Sequence, residues 1–411
     1  MKIFSYNPDP FLYNGYYLYD GNIHTDRHTI ADEIVSDKIK YNEYMKEDKV
    51  SFYFHDDYFS QFDWTKEPQQ SLKELYKQRA IQLRDKYDYL ILSYSGGSDS
   101  HQALETFLNN NIFIDEIFIS TWEKLLHKID RSELLSDEHL RFFMEYELNV
   151  LPMLKKIKEK SPATNISTID TSDFLYNDVN SGRFEILGML KTNGGGLRGL
   201  MIPIPMTIKM FAGYYMNKVE KKNAAFIVGI EKPILSINDD RVYFNFSDDG
   251  YTYDKLINNR LIDRVCNIEY FYWSPDAPYI PIKQAHVVKR ELENDKIFYG
   301  QFTNTKILSI DHDLNKKRGH NQWYDFEKIL MTKIYHDLNS LNYFPGKPKL
   351  ISPELNLLSK YYDLGNKITG AYKESYTYRL KKYNNLKVDI LKKIICTKKY
   401  LLGKFEPRWL M

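Results

Sequence analysis

Residues Tyr87 to Leu108 read YDYLILSYSGGSDSHQALETFL, and in this stretch a strand pattern, a glycine-rich turn and a helix pattern follow one another directly. The apolar run from Tyr89 to Leu92 is typical of a strand buried on both faces, which favours a parallel sheet covered by helices. Gly96 and Gly97 permit tight or left-handed backbone. The small polar residues after them are good helix caps, so the pattern predicts a helix beginning at about Ser98.

This turn is a candidate site for an anion. Successive backbone N–H groups and a helix N-terminus point at one spot there, and both the unsatisfied donors and the helix dipole favour negative charge. A phosphate is the natural ligand. No lysine follows the glycines, so the turn differs from the GxxxxGK[ST] loop, whose lysine steadies the β- and γ-phosphates of a nucleotide. A plain strand-to-helix connection, in which glycine and serine only satisfy the geometry, is the alternative.

The six residues SGGSDS, from Ser95 to Ser100, resemble the complete SGGxDS signature of the PP-loop ATP pyrophosphatases, also called the N-type or adenine nucleotide alpha hydrolase-like superfamily. The resemblance is specific over roughly Tyr87 to Trp122 and only topological beyond. It implies an α/β fold with a mostly parallel, doubly wound sheet of the PP-loop, HUP-like kind. It also implies cleavage of ATP to AMP and pyrophosphate, usually through an adenylated substrate.

The same resemblance implies that the whole turn binds ATP, with Gly96 among its nucleotide-binding residues. Donors to the phosphate oxygens are expected from Ser95, Gly97, Ser98 and Ser100. Asp99 is expected to hold either the loop or a Mg²⁺ ion, which would help pyrophosphate to leave.

The carboxyl end of the next predicted strand is a candidate adenosine site. The apolar run Ile114 to Ser120 predicts a buried strand that completes a right-handed βαβ unit. Ligands gather at the carboxyl edge of open α/β sheets, and PP-loop proteins hold adenosine there. Candidates for binding adenine and ribose are therefore Ser120, Thr121 and Trp122. Trp122 fits an ordinary core aromatic equally well.

A third predicted strand, Asn165 to Thr171, brings acidic residues to the same edge of the sheet. Asp170 and Asp173 lie at its end, and either could hold magnesium as easily as it could cap a helix. Asp99 and Asp173 are thus the predicted Mg²⁺ ligands.

The turn itself contains no cation, and two basic residues elsewhere could supply one. Lys232 follows the apolar strand Ala224 to Ile230, so it should lie at the edge where phosphates bind and contact the α-phosphate or the leaving pyrophosphate. A salt bridge near Glu231 is the alternative. Arg198, in the glycine-rich run 194–199, suits a loop that closes over a phosphate or a substrate carboxylate, or is a bystander in a surface loop.

Patterning divides the chain into three parts. Residues 1–70 read as a β-rich extension, and Lys2 stands where asparagine synthetase-like relatives carry a nucleophilic cysteine, so glutamine hydrolysis is not expected. Residues 71–262 are predicted to be the ATP-binding α/β domain, opening with an amphipathic helix from Ser71 to Lys86. A change to aromatic- and proline-rich sequence then begins a mainly helical region, 263–411.

Composition favours a soluble protein of a reducing compartment. The chain has 411 residues, a formal net charge of +2 and two cysteines, Cys266 and Cys396, whose spacing indicates neither a disulfide framework nor a zinc motif. The sequence has no recognisable signal peptide and no run long enough to cross a bilayer. The expected location is cytoplasmic, without a membrane partner.

Together these patterns predict an ATP-dependent, Mg²⁺-using adenylating enzyme that activates a carboxylate, amide or base carbonyl for C–N bond formation. The predicted catalytic residues are Asp99, Lys232 and Arg198, and the partners are ATP and an acceptor that the sequence does not identify. One alternative is a nucleic-acid base-modifying enzyme, with the basic stretch Lys367 to Lys404 as either a nucleic-acid surface or a solvated helical face. The other is a non-catalytic nucleotide-binding or assembly protein, against which the complete six-residue turn argues.

Overall fold

A computed structural model describes residues 15–24, 27–46, 49–121, 145–170, 223–229, 232–248, 267–305, 330–336 and 395–410. Within these ranges the strands form three sheets, two of three strands and one of five. The five-stranded sheet contains the strand of the stretch quoted above, and the helices next to this sheet position the candidate site.

The N-terminal region combines the predicted extended segments with two helices. Its antiparallel strands are β1 (Tyr16–Tyr19), β2 (Asn22–His24) and β3 (Val50–Tyr53), in the order β2-β1-β3. Between β2 and β3 lie α1 (Arg27–Val35) and α2 (Lys38–Lys46), so the predicted β-rich extension also contains two helices that the sequence analysis did not predict. Helical spacing explains the difference, because Ile30, Ala31 and Ile34 fall on one buried face.

The predicted strand, turn and helix of the central stretch are all present. After a short helix α3 (Asp56–Phe59), the predicted amphipathic helix α4 (Leu72–Lys86) leads into β4 (Tyr89–Ser93). Leu90, Ile91 and Leu92 of β4 are fully buried, as a strand covered on both faces requires. Helix α5 (Ser98–Asn109) then connects β4 to β5 (Glu116–Thr121), with Gly97 as its extended N-cap.

The next described segment begins with a π-helix (Glu145–Val150), followed by α6 (Leu151–Lys160) and β6 (Asn165–Asp170). The apolar pattern of residues 136–159 predicts a single helix with a kink at Pro152, and residues 136–144 of it lie outside the described residues. Pro152 lies in the first turn of α6, where a missing N–H costs little. The irregularity is the π-helix just before it.

Three more strands follow, β7 (Ala224–Val228), β8 (Ile234–Asn238) and β9 (Arg241–Asn245). Alternation from Arg241 to Phe246, after the turn residues Asn238 to Asp240, predicts an edge or hairpin strand. Strands β8 and β9 form such a hairpin, in which Asp239 and Asp240 both take left-handed backbone with φ of 47° and 57°. Before β7 the sequence also predicts a helix over roughly residues 206–219, which lie outside the described residues.

Strand β10 (Asn267–Tyr270) completes the central sheet, whose order is β10-β7-β4-β5-β6 with every pair parallel. The molecule thus has the predicted mixed α/β character, compatible with a Rossmann-like fold. The sheet extends past residue 262, where the sequence placed the end of the α/β domain. Burial explains the aromatic composition there, because the side chains of Tyr270, Phe271, Tyr272 and Trp273 lie in the core.

The described C-terminal elements are α7 (Tyr279–Asn294), α8 (Lys296–Thr305), helical residues 330–334, β11 (Tyr400–Lys404) and a 3₁₀ turn (Arg408–Leu410). Helix α7 packs against α4, and β11 pairs antiparallel with β9. The region predicted to be mainly helical therefore also supplies strands. Most of the basic stretch, up to residue 394, lies outside the described residues. None of the described helices combines the length and apolar character needed to cross a membrane.

Candidate functional site

The central sheet changes its direction of winding between β4 and β7. The chain runs outward from β4 through β5 to β6, and then returns to place β7 and β10 on the other side of β4. Open α/β sheets bind ligands outside the carboxyl ends of their strands at such a switch point. The turn from Ser95 to Ser100 follows β4, and Gly229 and Lys232 follow β7, so all of them lie after the two strands that flank the switch point.

The turn is held in shape by its own serine hydroxyls. Gly96 has a φ of 86°, in the left-handed region that favours glycine. Ser100 Oγ accepts from Ser95 N at 3.2 Å and donates to Gly97 O at 3.1 Å. Ser95 Oγ accepts from Gly97 N at 3.2 Å and lies 3.1 Å from Ser100 Oγ. Ser98 Oγ is buried and directed at the sulfur of Met331.

Helix α5 begins without a side-chain cap. Its N-cap residue is Gly97, with φ −75° and ψ 160°, and no side chain accepts from the first N–H groups of the helix within the described part of the chain. These are among the donors that every α-helix leaves unpaired at its start. The hydroxyls of Ser95 and Ser100 bond within the turn and that of Ser98 is directed at Met331, so these predicted donors are already engaged. The backbone N–H groups at the start of α5 are the donors that this site presents to a ligand.

Lys232 lies beside the turn, where the sequence placed it. Its Nζ donates to Asp99 Oδ2 at 2.8 Å, and only 11% of the lysine side chain is exposed. The partner of this ion pair is thus a residue of the turn, while Glu231, the neighbour considered as an alternative, lies outside the described residues. The pair brings an ammonium group to the start of α5.

Asp99 is bonded at three of its atoms. Besides the contact of Oδ2 with Lys232, its Oδ1 accepts a hydrogen bond from the Tyr335 hydroxyl, and its main-chain oxygen accepts one from the Tyr272 hydroxyl at 2.8 Å. Burial is the main cause that raises the pKa of Tyr335 well above its ordinary value, and the nearby Asp99 adds to it. The phenol therefore stays protonated and acts as a donor at every ordinary pH.

This arrangement does not fit the predicted Mg²⁺ site. Both carboxylate oxygens of Asp99 are already engaged, and its predicted co-ligand Asp173 lies outside the described residues. No group of three or more His, Cys, Asp or Glu side chains suited to a metal occurs among the described residues. We therefore assign no described residue to magnesium.

The turn is also braced by residues that the sequence did not reveal. A Cβ added at Gly229 would stand 2.9 Å from Asp99 O and 3.0 Å from Ser100 Cα, so β7 and the start of α5 touch backbone to backbone. Asn149, in the π-helix, donates from Nδ2 to Gly96 O at 2.9 Å. Gly229 directly follows the apolar strand β7, so the sequence could have indicated a close backbone contact there. Asn149 and the two tyrosines are 53 to 236 residues away in sequence, so no local pattern points to them.

The remaining predicted residues are less closely connected to the turn. Thr121 is buried at the carboxyl end of β5, where it pairs with Asp170 of β6, and Ser120 lies one residue earlier in the same strand. Both residues therefore lie at the carboxyl edge of the sheet, on the β5 side of the switch point, and their binding of adenosine stays a prediction. Trp122, Asp173 and Arg198 lie outside the described residues, so their roles stay predictions.

The arrangement can bind an anion by two means at once, the open N–H groups of α5 and the ammonium of Lys232. Comparison of the chain with protein-family models and with curated protein sequences gives no match. The functional interpretation accordingly depends on the residues of the turn and on their geometry.

Proposed function

We propose that the chain is an ATP-dependent adenylating enzyme of the PP-loop type, which cleaves ATP to AMP and pyrophosphate and activates an acceptor for C–N bond formation. The observation that carries this proposal is the meeting of the SGGSDS turn and Lys232 at the switch point of a parallel sheet. In a nucleotide-binding protein of this kind, that is the place where phosphates are held.

In the proposed reaction, the β- and γ-phosphates of ATP lie against the turn from Ser95 to Ser100. An oxygen of the acceptor attacks the α-phosphorus, the bond from that phosphorus to the bridging oxygen breaks, and pyrophosphate takes the electron pair. Negative charge then grows on the α-phosphoryl oxygens and on the departing group. The N–H groups at the start of α5 and the ammonium of Lys232 stabilise this charge.

In this proposal Asp99 holds the ammonium of Lys232 beside the phosphates and is not itself a ligand of the nucleotide. A lysine ammonium has three N–H donors, so Lys232 is able to hold Asp99 and a phosphate oxygen at the same time. The carboxylate is anchored by Tyr335, which limits its movement toward the incoming phosphates. The proposal therefore gives Asp99 the role of holding the loop and its cation.

The identity of the products tests this function. ATP labelled in its α-phosphate would be incubated with pools of candidate acceptors, including carboxylic acids, amides and nucleic acids, and the products separated. We expect AMP and pyrophosphate. ADP and phosphate would overturn adenylation, and binding of ATP without any turnover would favour the non-catalytic nucleotide-binding interpretation.

Two variants connect turnover to the turn. Gly97→Val adds a branched side chain at the N-cap, and Asp99→Asn removes the charge that pairs with Lys232. Both should abolish AMP formation while the far-ultraviolet circular dichroism stays that of the wild type. Unchanged AMP formation in either variant would remove that residue from the mechanism.

A further inference from the structure

A distant segment, residues 330–336, is packed on the first turns of α5. Met331 contacts the Ser98 hydroxyl, Tyr335 donates to the Asp99 carboxylate, and His336 N donates to Gln102 Oε1 at 2.6 Å. Ser98 and Asp99 lie in the first turn of α5 and Gln102 in the second, next to the candidate phosphate site. The segment is therefore placed to influence the residues that hold the ligand.

Tyr335 itself is fixed on several sides. Its side chain is in the core, and its ring lies 5.4 Å, centroid to centroid, from the ring of Tyr272, which binds the main-chain oxygen of the same aspartate. One residue earlier, the carbonyl oxygen of Ile334 accepts from the Tyr76 hydroxyl at 2.8 Å. The phenol of Tyr335 thus reaches Asp99 from a position that does not depend on the turn.

We propose that Tyr335 is a positioning residue, which by donating to one oxygen of Asp99 determines how firmly the other oxygen holds Lys232. This inference rests on the proposed function, in which Lys232 shares its ammonium between Asp99 and a phosphate. A hydrogen bond from a phenol withdraws negative charge from a carboxylate and stops it rotating. Without that bond, Asp99 would attract the ammonium more strongly and release less of it to the phosphate.

A second tyrosine of the chain supplies a matched control. Tyr400 is buried like Tyr335 and also donates its hydroxyl to the Oδ1 atom of an aspartate, Asp56, in the first turn of a helix. Asp56 has no part in the candidate site. Tyr335→Phe and Tyr400→Phe therefore remove the same kind of hydrogen bond, and only the first should affect Lys232.

The first experiment needs no nucleotide. The rate at which the Lys232 amine is acylated by acetic anhydride would be measured by mass spectrometry in the ligand-free, full-length protein. We expect labelling to be about tenfold slower in Tyr335→Phe, the scale for losing one hydrogen bond to a charged group. The reason is that Asp99, without the phenol, holds the Lys232 ammonium more tightly. Labelling should be unchanged in Tyr400→Phe. Equal Lys232 labelling in wild type and Tyr335→Phe would overturn the proposal, whether or not the protein turns over ATP.

Tyr272→Phe gives an independent check if Tyr335→Phe folds poorly. It removes a phenol from the main-chain oxygen of Asp99 and leaves the carboxylate untouched. Lys232 labelling should therefore stay at the wild-type rate. A slowing as large as the one expected for Tyr335→Phe would show that general loosening of the turn, and not the bond to the carboxylate, controls Lys232, which would also overturn the proposal.

The second experiment measures binding of inorganic pyrophosphate by calorimetry. Tyr335→Phe should weaken binding about tenfold in the wild-type background and have no further effect in Lys232→Met, because it acts through that lysine. Additive losses would indicate a merely structural role and contradict the proposal. Failure of the wild-type protein to bind pyrophosphate would instead count against the proposed function, while the labelling experiment would still decide the role of Tyr335.

Discussion

Helices α4 and α5 lie next to each other, yet they begin in opposite ways. Helix α4 starts with a capping box, in which Ser71 Oγ accepts from Glu74 N at 3.2 Å and Glu74 Oε2 accepts from Ser71 N at 2.7 Å. Helix α5 starts at Gly97 with no side-chain cap, and Asp99 in its first turn is directed at Lys232 and Tyr335 instead of back at the helix. Both first turns contain an acidic residue, but only Glu74 of α4 caps its own helix.

The difference shows what each helix start is used for. Glycine at an N-cap in place of serine lowers the free energy of unfolding by only a few tenths of a kcal/mol, so an uncapped helix start reduces stability very little. Ser71 is exposed, where no ligand site is expected, whereas Gly97 lies at the switch point of the sheet. The open donors thus occur at the helix start where the fold favours an anion, and the acidic residue there is used to hold a cation.

The largest effect is expected from removing that cation. Lys232→Met keeps much of the apolar stem and deletes the charge, so the barrier to ATP cleavage should rise by about 2–4 kcal/mol, or about 30- to 900-fold in rate, the scale for one preorganised donor. Binding of ATP should weaken less. Steady-state kcat and KM for AMP formation would measure both.

Lys283 provides the control from the other helix start. It is buried to a similar degree, with 13% of its side chain exposed, and pairs with Glu67 at 2.7 Å near the beginning of α4. Lys283→Met should change stability but not AMP formation. If Lys232→Met were as active as Lys283→Met, the lysine at α5 would be an ordinary ion-pair residue, and Arg198 would become the leading candidate for the cation.

The next largest effect is expected from separating α5 from the sheet. Gly229→Val would place a side chain within about 3 Å of backbone atoms of Asp99 and Ser100, which cannot move as the end of a flexible side chain could. Such overpacking should cost about 1–3 kcal/mol of unfolding free energy and abolish pyrophosphate binding. Gly300→Ala in α8, where nothing lies within 4 Å of the added Cβ, should be neutral or stabilising by roughly 0.5–1 kcal/mol. Urea denaturation measures both, and a tolerated Gly229→Val would show that the close contact is not needed.

The sequence predicted the parts of this site that follow from local patterns. The buried run of β4, the glycines after it and the helix beginning at Ser98 are encoded within one stretch of the chain. Lys232 could be placed beside the turn because parallel strands bring their carboxyl ends to one edge. The inward direction of the serine hydroxyls could not be predicted, since it depends on the left-handed Gly96 and on rotamers chosen within the turn.

What the sequence could not provide are the contacts between distant segments. Tyr335 and Tyr272 reach Asp99 across 236 and 173 residues, and neither belongs to a pattern that indicates a ligand site. Strand β10 was missed for a related reason. The aromatic residues next to it were interpreted as the start of a new region. They are buried because β10 pairs in parallel with β7. Parallel pairing joins segments that are far apart in sequence, so no local pattern predicts it.

A smaller effect, confined to stability, is expected at the start of α4. Ser71→Ala removes the hydroxyl that caps the helix and half of the capping box, so unfolding free energy should fall by about 1 kcal/mol. Pyrophosphate binding should be unchanged, because this helix start lies outside the candidate site. Weaker pyrophosphate binding in Ser71→Ala would mean that the two helix starts are energetically coupled, so that the start of α4 also contributes to ligand binding.

The smallest change in stability is expected from giving α5 the cap that it lacks. Gly97 has extended backbone that Asn or Asp can also adopt at an N-cap, so Gly97→Asn and Gly97→Asp should each stabilise the fold by a few tenths of a kcal/mol. The two variants have side chains of the same shape and differ only in charge. The midpoint temperature of thermal unfolding, Tm, should therefore rise by a similar, small amount in both variants.

Their effects on ligand binding should separate, because only the aspartate places a negative charge where the phosphates are proposed to lie. We expect Gly97→Asp to bind pyrophosphate about fivefold or more weakly than Gly97→Asn at low salt, as like charges a few ångströms apart repel, and the gap should narrow at high salt. Calorimetry at two salt concentrations measures this. Equal weakening in both variants would mean that the cap hydrogen bond itself competes with the ligand for the N–H groups. Wild-type binding in both would mean that the start of α5 is as closed to anions as the start of α4.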